Sequence, residues 1–422
     1  MLSQSKNNFL GYIYTILIIL STINALHSQE KDIKFNFQKN PTNTDYWWLQ
    51  NNNFGKEVSE FSSESNFKFE KSKTTYVINL FSSFNKNKLK KIYFNESFIK
   101  HSLSDNTIFK FGRYYRDFST YLIDDLSSGS LLISHNAQAM PKIGLMTTYV
   151  IKKNNNISFD FGIAHAMFNK NEVYQKNPLL HEKFLYINIK NKNYLGSIGF
   201  VHEAMWGGDI DSNHKFSGKQ PSSFSDFLKV LISADGPADF PHANALGNHL
   251  GIWDFSFQKK NNDKILKLYY QHLFEDTSGL RFQNKTDGLW GLELTRYFLD
   301  TTILFEYINT TNQSINPPYV KEQYYNHDLY ASGWSYKGLT LGNPFIDHLN
   351  AVDIAALHLG VKGSLSNNYF YKIKLSRNIK IDDMIKYKIT LRKIINDKSK
   401  ISIFMVNNGN SKGLGINISQ NL

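Results

Sequence analysis

The chain contains no cysteine among its 422 residues. That absence excludes a disulfide scaffold and a thioether-linked lipid at a processed N-terminus, so an exported form would rest on its fold alone. Long apolar runs are also scarce. Mean hydropathy is -0.39, and no internal segment reaches the roughly 18 to 20 consecutive apolar residues of a spanning helix. The HExxH metal motif is missing too. His202-Glu203, His327-Asp328 and Asp347-His348 offer residue types suited to a metal or to acid/base work, but without ligand spacing. The expectation is a protein that is not an enzyme and carries no cofactor. One apolar stretch stands apart, at residues 9–20, preceded by Lys6 and followed by Asn24-Ala25-Leu26-His27-Ser28. This predicts a secretory signal peptide over 1–28, cleaved near Ser28-Gln29.

Aromatic residues make up 15% of the chain, and the net charge is +12, falling to +11 when Lys6 leaves with the signal. For an exported protein the partners of such charge are anionic lipid head groups and acidic polysaccharide, with no nucleic acid among them. Alternation of apolar and polar residues recurs in units of about ten, separated by short polar turns. It is cleanest near the end, where Tyr369, Tyr371, Ile373 and Leu375 share one parity, then Ile385, Tyr387, Ile389 and Leu391, with turns at 382–383 and 396–397. Earlier runs repeat it: Tyr76, Ile78 and Leu80; Leu185, Ile187 and Ile189; Trp290, Leu292 and Leu294; Ile303, Phe305 and Tyr307. So many long strands with tight turns on one side and long connections on the other fit a closed sheet in lipid, where every backbone group must be paired.

The fold class expected is therefore all-β: a large transmembrane antiparallel barrel of about 16 to 18 strands, with aromatic girdles at the two interfaces. Residues 1–28 are the signal, 29–72 a polar segment that is periplasmic or holds the first strands, and 73–422 the barrel. Long connections interrupt the meander at 111–144, 204–248 and 309–350. The first is rich in Tyr, Phe and Leu and reads as a packed insert rather than a disordered loop. In the second, Phe224, Phe227, Leu228 and Leu231 recur at helical spacing behind Ser222 and Ser223, predicting a short helix at the barrel mouth or in the lumen. Lys372, Lys374, Lys386, Lys388 and Arg392 lie on the polar parity of two neighbouring strands and should face the lumen. There they would be offset by carboxylates from the opposite wall and plug, such as Glu293 and Glu306, or by acidic polymer at the mouth.

Five stretches carry a resemblance: LSSGSLLISHNAQAMPKIG at 126–144, LHEKFLYINI at 180–189, GFVHEAMWGG at 199–208, NALGNHLGIWDF at 244–255 and GWSYKGLTLGNPF at 333–345. In this order they resemble the capsule-assembly Wzi family of outer-membrane proteins. The resemblance implies a barrel of around eighteen strands acting as a surface lectin that anchors capsular or exopolysaccharide in the outer membrane of a diderm bacterium. Outer-membrane lipid and a polysaccharide export channel are further expected partners; a porin for small solutes or glycans is the alternative. Sugar binding calls for flat apolar faces and planar polar groups, which nominates Trp206, Trp253 and Trp334 beside His202, Asn248, His249 and Asn343. From the insert come Asn136 and the cations Arg113, Arg116 and Lys142, which suit uronate or phosphate groups.

Overall fold

The computed structural model describes residues 30–39, 47–86, 88–119, 122, 125–152, 155–237, 245–313, 324–381 and 384–421. The expected signal peptide and the 382–383 turn lie outside them. One sheet dominates. Its strands are β1 (Glu30–Lys39), β2 (Phe61–Lys71), β3 (Thr74–Asn85), β4 (Lys88–Phe94 and Ser97–Ser102), β5 (Thr107–Arg113), β6 (Pro141–Val150), β7 (Ile157–Met167), β8 (Leu179–Lys190) and β9 (Tyr194–Trp206). The second half comprises β10 (Asn248–Asn261), β11 (Lys264–Phe274), β12 (Gly288–Thr295), β13 (Thr301–Asn309), β14 (Ala355–Ser366), β15 (Tyr369–Asn378), β16 (Lys386–Ile394), β17 (Ser399–Asn407) and β18 (Lys412–Asn421). The two pieces of β4 lie end to end against β3, so the nineteen sheet segments form eighteen staves. Each pairs antiparallel with its chain neighbour, and β1 pairs with β18, closing the barrel. Residues 29–72 contribute β1 and β2, so the sheet starts well before residue 73.

Alternation sets the two faces. On β15 and β16 the pairs Ile373↔Ile389 and Leu375↔Tyr387 look outward while Lys374↔Lys388 and Lys372↔Thr390 look inward. Leu391 and Ile403 are more than half exposed on the outer face, whereas Lys374 is 8% exposed inside. A lysine pointing the other way would cost about 2 to 4 kcal/mol at the bilayer midplane, which is why this register is held. A carboxylate of the lumen-filling insert does face these cations, but the two residues named for the role are engaged elsewhere. Glu293 bonds Lys267 (3.1 Å), and Glu306 accepts hydrogen bonds from Ser127 Oγ (2.6 Å), the Ser128 amide (2.7 Å) and Tyr269 (2.5 Å). Instead Asp125, from the 111–144 insert, lies 3.0 Å from Lys362 and 3.9 Å from Lys372, and the Lys374 ammonium sits 4.7 Å above the Trp48 ring.

Glu30 at the start of β1 and Asn421 at the end of β18 share one rim with the short turns, such as 191–193 and 262–263, while the long connections leave the other rim. In such barrels short turns face the periplasm and long loops the exterior. The 114–140 insert folds from the outer rim into the lumen. Leu126, Leu131 and Leu132 are fully buried there, and its backbone is satisfied by the wall: Leu131 N donates to Gln271 Oε1 (2.9 Å), and the Leu126 carbonyl lies 2.6 Å from His358 Nε2. Buried backbone without such partners would be costly. Gly360 leaves room for this approach, since a Cβ there would lie 3.0 Å from Leu126. Residues 324–349 close over the insert through Trp334 Nε1 to Leu132 O (2.8 Å) and the Ser134 amide to Leu341 O (2.8 Å). Helix α1 (Trp47–Gln50) wedges beside them, Trp48 lying 5.1 Å from His358.

Helix α2 (Phe224–Ile232) starts where its spacing predicts, with Ser223 as N-cap and Asp226 completing a capping box. Its location does not match the expected mouth or lumen. Phe227 and Val230 pack on Ala204, Trp206 and Leu246, and Ala204 and Trp206 share the outward parity of β9 with the exposed Ile198. The helix thus lies on the outer wall near the long-loop rim. The physical reason is beneath it: His165, His181, Lys183, His202 and His249 also point outward, and α2 covers them, the Lys183 ammonium donating to the Leu231 carbonyl.

Candidate functional site

The sequence-nominated residues divide between two faces of the wall. His202, Trp206, His249 and Trp253 were expected to build a sugar surface, but all four look out of the barrel. Trp206 shares parity with Ile198 and Phe200, and Trp253 with Phe255 and Phe257, so strand alternation carries them to the membrane side. His202 Nε2 lies 2.9 Å from His249 Nδ1, His249 Nε2 lies 3.0 Å from the Leu246 carbonyl, and Trp206 is covered by Phe227 of α2. Trp253 donates to the Leu280 carbonyl (3.2 Å) and meets Phe200 edge-on at 5.0 Å. With Phe255, Tyr270 and Trp290 it forms an outward aromatic band, as interfacial girdles do.

Most of the others hold the insert. Arg113 donates to the Ala139 carbonyl and to Tyr336 Oη (both 3.0 Å), and Arg116 to the Ile133 carbonyl (3.0 Å). Lys142 forms an ion pair with Glu182 at 2.9 Å, both side chains at most 2% exposed. Trp334 is fully buried, and Asn343 donates to the Gly129 carbonyl (2.7 Å). Asn248 is buried at the start of β10. A G-x-S-x-G string occurs at 409–413, but Ser411 lies in the β17–β18 hairpin, donating to Asn408 Oδ1 (2.8 Å), and not on a strand-to-helix elbow. Among the described residues no three His, Asp or Glu side chains converge as a metal site.

What the nominated set lacked is a cleft at the long-loop rim, about 370 Å³ in volume, between the 338–354 connection, α1 and the ends of β15 and β16. Trp47 and Phe345 supply its apolar faces, 4.5 Å apart and tilted by 32°. Lys386 stands 6.0 Å from the Trp47 ring. Asn51, Asn378, Asp347 and His348 supply planar polar groups, and Asn136 reaches its lining. Asn136 is positioned by two bonds, donating to the Thr340 carbonyl (2.8 Å) and accepting from the Asn52 amide (2.9 Å). Burial works against the Asp347 charge, yet hydrogen bonds from Asn350 and from the Leu349 and Asn350 amides keep its carboxyl below the usual range. Burial lowers the neighbouring His348, so at neutral pH the pair offers an anion beside a neutral imidazole. Rings, amides and a cation around one opening are the elements of saccharide recognition. The sequence signal for this cleft was the Trp47-Trp48 pair inside an otherwise polar segment.

The family description "capsule assembly protein Wzi" matches residues 42–383. Among solved structures, the Escherichia coli outer-membrane protein Wzi, described as involved in group 1 capsule assembly and as a carbohydrate-binding β-barrel, is similar. The TM-score is 0.63 at 14% identity, over 96% of this chain and 86% of that one. A triple-mutant porin of Rhodopseudomonas blastica aligns over 93% of this chain and 98% of its own at 9% identity and a TM-score of 0.40. No curated protein matches the chain.

Proposed function

The chain belongs to the capsule assembly Wzi family, and on that footing we propose that it is an outer-membrane lectin that holds capsular or exopolysaccharide at the cell surface through the cleft at its long-loop rim. The observation that carries this reading is the meeting of Trp47, Phe345, Asn51, Asn378 and Lys386 around one outward-facing opening. Lys386 favours a polymer bearing carboxylate or phosphate groups. The insert that fills the middle of the lumen supports a binding role over a diffusion pore, and binding proceeds without turnover. Export depends on cleavage near Ser28-Gln29, and a polysaccharide export channel supplies the polymer.

The test uses a deletion strain complemented with wild type or with the double variant Trp47→Ala/Lys386→Gln. Each stacking contact contributes about 1 kcal/mol, and multivalent attachment masks single losses, so the double variant is the informative one. We expect it to fold, judged by heat-modifiable migration on a gel, and to shift polymer from the cell-bound to the released fraction. Full retention by the double variant, with retention still dependent on the protein, overturns the assignment.

A further inference from the structure

A second cavity, about 300 Å³, lies at the opposite end of the lumen, and Asp300 of the 296–300 turn among its lining places its opening on the short-turn rim. The register builds it in two rows. Thr302, Lys362, Lys372 and Thr390 face inward side by side across β13 to β16. Ser364, Phe370 and Arg392 form the next row towards the rim. The charges do not balance. Asp300 is held by Arg296 (3.1 Å) and Ser364 (2.8 Å). Among the described residues of the lining, Asp125 is then the one carboxylate set against three cations, bonded to Lys362 through both oxygens (3.0 and 3.2 Å) and 3.9 Å from Lys372. Among the described residues the Arg392 side chain makes no hydrogen bond or ion pair, and it is exposed in the cavity. Deeper along the same wall stand Lys374 and Lys388, adding to the positive potential. A low-dielectric recess lined by one sign of charge concentrates counter-ions, and a guanidinium without a partner is suited to a carboxylate.

We propose that this periplasm-facing pocket binds a carboxylate-bearing sugar. The carboxylate sits between Arg392 and Lys372, the sugar ring lies on Phe370, and Thr302, Thr390 and Ser364 meet its hydroxyls. Asp125 already shows that the lysines accept a carboxylate, and it competes with the ligand for them. A volume near 300 Å³ is at the small end of ligand pockets, which limits the occupant to a single residue or chain end. The site is separate from the rim cleft and does not depend on it.

The experiment titrates glucuronate, glucose and inorganic phosphate into the full-length protein in detergent, by calorimetry, on the Trp47→Ala/Lys386→Gln background so that the rim cleft contributes nothing. We expect glucuronate to bind at least tenfold more tightly than glucose or phosphate. Arg392→Gln, an exposed change, weakens glucuronate at least tenfold, Lys372→Gln does the same, and Asp125→Asn tightens it severalfold. Gel heat-modifiability reports folding in each variant. Equal binding of glucose, or phosphate binding as tight as glucuronate, overturns the carboxylate-sugar assignment. Undiminished binding by folded Arg392→Gln overturns the site.

Discussion

At the scale of single residues, the buried Lys142–Glu182 pair shows how the lumen handles charge. Glu203 stands opposite Glu182 in the ladder, also fully buried and, among the described residues, without a hydrogen-bond partner for either oxygen. Breaking a buried pair strands a charge and costs about 3 to 5 kcal/mol. Lys142→Ala should lower stability by that amount in urea unfolding of the reconstituted barrel, and a loss under 1 kcal/mol would mean that the carboxylates are relieved some other way. Asp287, just ahead of β12, offers a pH test. Burial raises its carboxyl from 3.8 to about 6, against hydrogen bonds from Asn312 and Tyr324 that pull it down. A group whose folded pKa exceeds its unfolded value adds stability below the unfolded pKa and loses that contribution as pH rises through the folded one. The part of the stability due to Asp287 therefore declines between about pH 4 and 6, and Asp287→Asn should flatten the wild-type profile over that window in urea midpoints. An unchanged slope would show that Asp287 does not titrate there.

At the scale of elements, the insert decides whether the barrel is a pore. Its hold on the wall runs through Ser119 to Asp254 (2.5 Å), Ser127 and Ser128 to Glu306, and Leu131 to Gln271. All of these acceptors lie on inward strand positions. Replacing 114–140 with a short turn should leave a barrel that inserts and conducts in planar bilayers, where the intact protein does not. Comparable conductance by both would mean that the insert does not seal the lumen. Helix α2 illustrates the opposite resolution: an apolar stripe on a loop found its partner outside the barrel. Phe224 and Ile232 remain about three-quarters exposed there, continuing the lipid-facing surface.

At the scale of the whole molecule, eighteen antiparallel staves with N- and C-terminal strands adjacent fix an orientation that the lack of cysteine makes easy to test. Leu299, 94% exposed, lies in a short turn, and Leu349, 61% exposed, in the longest outer connection. With single cysteines introduced, a membrane-impermeant maleimide should label Leu349→Cys on intact cells and Leu299→Cys only after the envelope is opened. The reverse pattern would invert the barrel and exchange the two pockets.

The barrel was legible because lipid on one face and lumen on the other impose a period of two on every strand; Lys374 and Ile373 are assigned to opposite faces by parity alone. The capping box of α2 was equally local, since Ser223 and Asp226 are three residues apart. Parity also placed Trp206 with Ile198 and Trp253 with Phe257, a signal that outweighs their suitability for sugars. Three features lay beyond reach of any local pattern: that the 111–144 insert folds into the lumen, that α2 folds outward, and that Trp47 meets Phe345 and Lys386. Each depends on contacts between segments far apart in the chain, as between Asp125 and Lys362 or Trp47 and Phe345. Alternation marks two faces on each strand, but only closure of the sheet decides which side chains share an enclosed space.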